Sequence, residues 1–160
     1  MEPLPTSAAL DLLALAPTRH LGLRLGRSAA PGDIILLTGP LGSGKTTLTQ
    51  GIAAGLEIAE TINSPTFTLL KEHHGGRLPL YHFDLYRLED PDEIWSLGFA
   101  DYFAGDGLCV VEWAERAGNV WLDFSWLWLE FQVTGATARH VEIRCQGERE
   151  RILMANCLLR

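Results

Sequence analysis

An eight-residue run, Gly39-Pro40-Leu41-Gly42-Ser43-Gly44-Lys45-Thr46, fits the pattern Gly-x4-Gly-Lys-Ser/Thr and constrains this chain more than any other feature. At ordinary residue frequencies a chance match in a chain of this length is about 1 in 200. The setting narrows it further. Asp33 to Thr38 is a short apolar, β-rich run, and Thr46 to Leu56 places Leu48, Ile52 and Leu56 on one helical face. Strand, glycine loop and helix in that order form the context in which such a loop cradles phosphate. Glycine allows the backbone of Leu41, Gly42, Ser43 and Gly44 to curl so that several N–H groups face an anion, and the helix dipole adds to the attraction. Lys45 supplies a point charge for the β- and γ-phosphates, Thr46 a hydroxyl for Mg2+, and Thr47 reaches toward the α-phosphate. The run predicts a site for a nucleoside triphosphate with Mg2+.

The rest of the chain alternates between strand and helix patterns. Leu10 to Ala16 reads as a first strand, and Pro17-Thr18 opens a helix carrying Leu21, Leu25 and, beyond it, Ala29. Further strands are expected over Ser64–Lys71, Leu78–Leu85, Leu108–Glu112, Trp126–Val133 and His140–Cys145. Asp90-Pro91-Asp92-Glu93 is a helix start, with Asp90 as cap, Pro91 in the first turn and Glu93 three residues on; that helix ends near Gly98. Arg151 to Leu159 fits strand or helix. No linker or repeat divides the chain, so the expectation is one α/β domain spanning residues 1–160, of the P-loop NTPase type, with a mostly parallel sheet flanked by helices.

In open α/β sheets ligands sit beyond the carboxyl ends of strands. Two carboxylates fall there. Glu112 closes Leu108–Val111 and is placed to hold Mg2+ directly or through water. Asp84 closes the strand in His82-Phe83-Asp84 and is placed to orient the attacking water or an Mg2+-bound one. Which of them touches the metal is left open. His82, on the same side as Asp84, reads as a structural histidine. Trp113 follows Glu112 and suits either stacking on a base or core packing. Thr66, in Ser64-Pro65-Thr66, lies where a γ-phosphate-sensing loop often sits. The guanine-specifying Asn-Lys-x-Asp pattern and an Asp-x-x-Gly switch are missing, which favours ATP over GTP.

Composition limits the partners. Net charge is −7 and only two lysines occur, Lys45 and Lys71. Such a chain repels a polyanion, because phosphate neutralisation supplies most nucleic-acid affinity. Any RNA is therefore expected to be held by a partner. Cys109, Cys145 and Cys157, three in number and without a close pair, argue against a disulfide framework and a zinc site. No apolar run spans a bilayer and Met1–Thr6 lacks a signal-peptide pattern, so the expectation is a cytoplasmic protein without membrane contact.

The glycine loop, Ser64-Pro65-Thr66-Phe67-Thr68-Leu69, His82-Phe83-Asp84-Leu85-Tyr86-Arg87-Leu88, Leu97-Gly98-Phe99 with Asp101-Tyr102-Phe103, and Val111-Glu112-Trp113 together closely resemble the TsaE family. The resemblance implies a bacterial P-loop ATPase of tRNA threonylcarbamoyladenosine synthesis. It would act with the TsaB–TsaD complex and reset it between turnovers, tRNA being met only through the complex. By the same resemblance Lys45 and Thr46 bind phosphate and Mg2+, Glu112 is the Mg2+-linked glutamate and Asp84 an aspartate needed for activity. Trp113 lies near the base, and Arg139 matches an arginine near the nucleotide. Pro40 and Ser43 depart from the residues the family commonly carries there, without removing a phosphate-binding group. Beyond Trp113 the match weakens through the tryptophan-rich stretch Asn119–Gln132. A small-molecule or nucleoside kinase is the alternative; its lid arginines would come from Arg144, Arg149 and Arg151, in what reads as a solvated turn. A nucleotide-sensing module with little catalysis is a third possibility.

Overall fold

The computed structural model describes residues 6–63 and 68–158. The strands are β1 (Ser7–Leu12), β2 (Ile34–Thr38), β3 (Leu70–His73), β4 (Leu80–Asp84), β5 (Leu108–Glu112), β6 (Trp126–Val133) and β7 (Arg139–Gln146). The helices are α1 (Leu15–Ser28), α2 (Lys45–Gly55), α3 (Glu93–Ser96), α4 (Ala100–Phe103) and α5 (Glu148–Cys157), with a 3₁₀ segment over Ala114–Asp123. Among the described residues the strands form one sheet in the order β1-β7-β6-β2-β5-β4-β3. β6, β2, β5 and β4 run parallel. β7 is antiparallel to both β6 and β1, and β3 to β4. The expected α/β architecture holds, with the antiparallel pairings toward the edges. Every residue of β2 and β5 is buried, as unbroken apolar runs in a parallel sheet covered on both faces require.

Each face carries its own core. α1, α2 and α5 cover one, through Leu21, Leu25, Leu48, Ile52, Leu153 and Met154. Ile94, Phe103, Val120 and Trp121, from α3, α4 and the 3₁₀ segment, cover the other.

α1 and α2 approach so closely that only glycine fits between them. A Cβ at Gly22 would lie 2.2 Å from the Leu48 carbonyl oxygen, and one at Gly26 2.2 Å from that of Ile52. Reciprocally, Gly51 would meet the Arg19 oxygen at 2.2 Å and Gly55 that of Leu23 at 2.4 Å. The contacts ascend together along both helices, so the two run parallel. This close packing fixes α2, the helix that follows the glycine loop, against the body of the protein.

Several boundaries differ from those expected. β1 ends at Leu12 and α1 starts at Leu15, ahead of Pro17, because proline is tolerated in a first helical turn, where its missing N–H has no intrahelical acceptor. Of the expected strand over Ser64–Lys71, only Leu70 and Lys71 lie in β3; Thr68 and Leu69 form a bend, and residues 64–67 lie outside the described residues. Of Arg151–Leu159, the part through Cys157 lies in α5, and Leu159 lies outside the described residues. The stretch read as a solvated turn instead ends β7 and opens that helix. The expected helix start at Asp90 falls later: α3 begins at Glu93 with Asp92 as its cap residue. The turn ahead of it is held reciprocally, Asp90 Oδ1 accepting from the Asp92 N–H at 2.9 Å and Glu93 Oε1 from the Asp90 N–H at 2.9 Å.

The tryptophan-rich stretch is a packing device. Trp121 donates its indole N–H to the Ala114 carbonyl at 2.7 Å, Trp126 to that of Trp121 at 3.0 Å, and Trp128 to Thr38 Oγ1 at 3.1 Å. All three rings belong to or pack against the second core. Among the described residues no helix is long and apolar enough to cross a membrane.

Candidate functional site

At the carboxyl ends of β2, β4 and β5 the chain encloses a cavity of about 650 Å³. Its wall includes every loop residue from Leu41 to Thr47, together with Asp84, Glu112 and Trp113. The sequence separates these groups by up to 72 positions (41 to 113), and the parallel sheet brings them to one edge. Asp84 and Glu112 are register partners on adjacent strands, so the two carboxylates stand side by side. Arg87 also lines the cavity. Thr66 lies outside the described residues.

The loop is built for an anion. Gly44 caps α2 with φ of 106°, a backbone setting that strains any side-chain-bearing residue. The first bond α2 makes to its cap is Leu48 N–H to Gly44 O at 2.9 Å. First-turn amides have no acceptor within a helix, so they are available to a ligand at the positive end of the dipole.

Arg139, at the start of β7, grips this loop from below. Its Nε donates to the Ser43 carbonyl at 2.8 Å and its Nη2 to that of Gly42 at 3.0 Å; Nη1 donates to Ala138 and Gly135 carbonyls. The side chain is buried yet still reaches the cavity wall. The resemblance implied an arginine near the nucleotide; the structure commits its donors to backbone, so it braces the loop. No sequence signal marks such a role, because carbonyl acceptors are the same in every residue.

Lys45 is 4% exposed. Its Nζ donates to the Gly39 carbonyl at 2.6 Å and lies 4.0 Å from the centre of the Trp113 ring. Burial lowers its pKa, and Glu112, Glu115 and Asp84 oppose that shift. Trp113 adopts φ of 56°, rare for a bulky residue, and this turns its indole toward the lysine and against Tyr86, 4.9 Å away between ring centres. Trp113 packs partly against the second core and also lines the cavity.

Glu112 is 2% exposed, and its Oε2 accepts from His82 Nε2 at 2.6 Å. Asp84 accepts the Tyr86 N–H at 2.9 Å. Burial raises the Asp84 pKa, and neighbouring Glu112 adds to the rise. A carboxyl with a raised folded-state pKa contributes stability below its ordinary range and loses it as pH rises through the raised value. Asp84→Asn keeps the Tyr86 acceptor and carries no charge. It is expected to raise the thermal midpoint at roughly pH 7 and to leave it unchanged near roughly pH 3, where the native carboxyl is protonated in both states. Thermal melts at the two pH values check this; an equal effect at both would contradict it.

Among the described residues no three His, Cys, Asp or Glu side chains converge to hold a metal by themselves. The donors present, one hydroxyl at Thr46 and carboxylates at Glu112 and Asp84, suit a Mg2+ ion shared with phosphate oxygens, since Mg2+ usually takes one or two carboxylates and leaves other positions to water and phosphate.

A model of the family described as "Threonylcarbamoyl adenosine biosynthesis protein TsaE" matches residues 13–143. The Bacillus subtilis protein named "tRNA threonylcarbamoyladenosine biosynthesis protein TsaE" is 57% identical over 86 residues, 54% of this chain and 53% of that protein. The Nostoc protein of the same name is 52% identical over 103 residues, covering 62% and 63%. The match thus spans between half and two thirds of those relatives. The Streptomyces coelicolor protein of that name is 39% identical over 137 residues, covering 82% of this chain and 92% of its own length. The crystal structure of YdiB from Bacillus subtilis superposes with a TM-score of 0.79 at 32% identity, covering 94% of this chain and 93% of that one.

Proposed function

This chain belongs to the TsaE family of threonylcarbamoyl adenosine biosynthesis proteins, and on that premise we propose that it is an ATPase that binds Mg·ATP in the glycine-loop cavity and drives turnover of a TsaB–TsaD complex modifying tRNA. The observation that carries this reading is the convergence of Lys45, Thr46, Asp84 and Glu112 on one cavity wall. Lys45 leaves the Gly39 carbonyl for the β- and γ-phosphates. The loop amides and the α2 dipole bind the phosphate oxygens, and Thr47 meets the α-phosphate end. Thr46 and Glu112 would hold Mg2+, which would supply positive charge against the phosphates. Asp84, beside Glu112, orients the attacking water. Trp113 walls the site toward the base.

Two features support dependence on partners. With a net charge of −7, the chain meets tRNA only through the complex. Among the described residues Arg87 and Arg139 are the arginines on the cavity wall, and Arg139 bonds the loop backbone; a partner that supplies transition-state charge would accelerate a slow lone enzyme.

The kinase reading loses its lid. Arg149 bonds Asp33 Oδ2 at 3.0 Å, at the opposite end of β2 from the glycine loop, and Arg144 lies over the Trp128 ring. Neither they nor Arg151 line the cavity. Phosphate release from Mg·ATP with and without TsaB–TsaD tests the proposal: stimulation by the complex is expected, whereas transfer of phosphate to an added nucleoside would restore the kinase.

A further inference from the structure

We propose that His82 is the positioning residue of Glu112, holding its carboxylate in the orientation that engages a divalent cation. The inference rests on the Mg·nucleotide reading above. His82 lies on β4 opposite Val110, and Glu112 on β5 opposite Asp84. Because side chains alternate along a strand, His82 sits one pleat below both carboxylates on the same sheet face. Its ring is fully buried and its Nε2 meets Glu112 Oε2 at 2.6 Å, with the Glu112 side chain 3% exposed. A carboxylate only accepts, so Nε2 is the nitrogen that carries the hydrogen.

The other ring nitrogen, Nδ1, is buried with no hydrogen-bond partner among the described residues. Its single hydrogen bond is directed at the carboxylate. His82 does not line the cavity, so it acts through Glu112 and touches no ligand. The neighbouring cation is engaged elsewhere: Lys45 Nζ is bonded to the Gly39 carbonyl and set over Trp113, and in the nucleotide reading it turns to the phosphates. Carboxylates that hold metals are oriented by such outer hydrogen bonds, and losing one typically lowers metal affinity or activity about 10- to 100-fold.

The test compares His82→Ala, His82→Gln and wild type. The glutamine amide nitrogen stands about as far from Cα as Nε2 and donates in the same direction. Three quantities are measured for each: ADP affinity in EDTA, the Mg2+ concentration that half-saturates the Mg2+-dependent gain in ADP affinity, and the thermal midpoint. His82→Ala is expected to raise the Mg2+ requirement about 10- to 100-fold with ADP affinity in EDTA unchanged, and His82→Gln to restore most of the loss. An unchanged Mg2+ requirement in a folded His82→Ala protein would overturn the proposal. So would a His82→Gln protein that melts like wild type yet still needs the extra Mg2+, which keeps the test decisive if the alanine variant does not fold. A wild type with no Mg2+-dependent gain at all would overturn the parent reading too, and is distinguishable because it appears before any variant is compared.

Discussion

Lys45→Ala is expected to lower phosphate release from Mg·ATP by about 10²–10³-fold, the loss seen when one preorganised donor to developing charge is removed. Several observations make this the most sensitive position. The ammonium is buried, and Glu112, Glu115 and Asp84 are close enough to act on its pKa. Removing it leaves those carboxylates without their shared cation and takes away the loop's point charge for the phosphates. The Gly39 carbonyl, which accepts from Nζ at 2.6 Å, also loses its partner. Arginine is no substitute, because its planar fork is larger and cannot act as a compact point charge in the same loop. Single-turnover phosphate release, measured beside the thermal midpoint, checks this. A folded variant within about twofold of wild type would show that the loop lysine is not part of the chemistry.

Gly51→Val is expected to destabilise the protein by about 3 kcal/mol or more, at the upper end of overpacking effects. The new Cβ would fall 2.2 Å from the Arg19 carbonyl oxygen, which is backbone and cannot rotate away. α1 must shift as a unit, and the reciprocal contacts of Gly22, Gly26 and Gly55 shift with it. Valine adds a β-branch that a helix tolerates less well than alanine. Because α2 begins at the phosphate loop, nucleotide affinity should fall along with stability. Urea unfolding gives the stability and a titration with ADP the affinity. A loss below about 1 kcal/mol would mean that the helices separate at little cost.

The central site could be read from the sequence because its chemistry is local. Gly39 to Thr46 carry their own signature, and β2 and β5 are apolar runs whose burial follows from composition. Asp84 and Glu112 could be placed because strand ends in such a sheet are predictable ligand positions. Other features are set by long-range geometry. His82 and Glu112 meet across 30 residues only once β4 and β5 pair in parallel register. Arg139 reaches the loop from 96 positions away and bonds carbonyls, which leave no trace in residue identity. The glycine pairs at 22/26 and 51/55 did leave a visible spacing of four, but small residues at that spacing acquire meaning only when two helices face each other. The extent of β1 was obscured because its apolar run continues into α1, and α5 was ambiguous because its buried face is narrow.

Phosphate release from Mg·ATP by wild type and Glu112→Ala, each alone and with TsaB–TsaD, tests the central claim most directly. The expected result is slow release by wild type alone, clear stimulation by the complex, and loss of that stimulated release in Glu112→Ala while the variant remains folded. Equal release with and without the complex, or a Glu112→Ala protein as active as wild type, would contradict it.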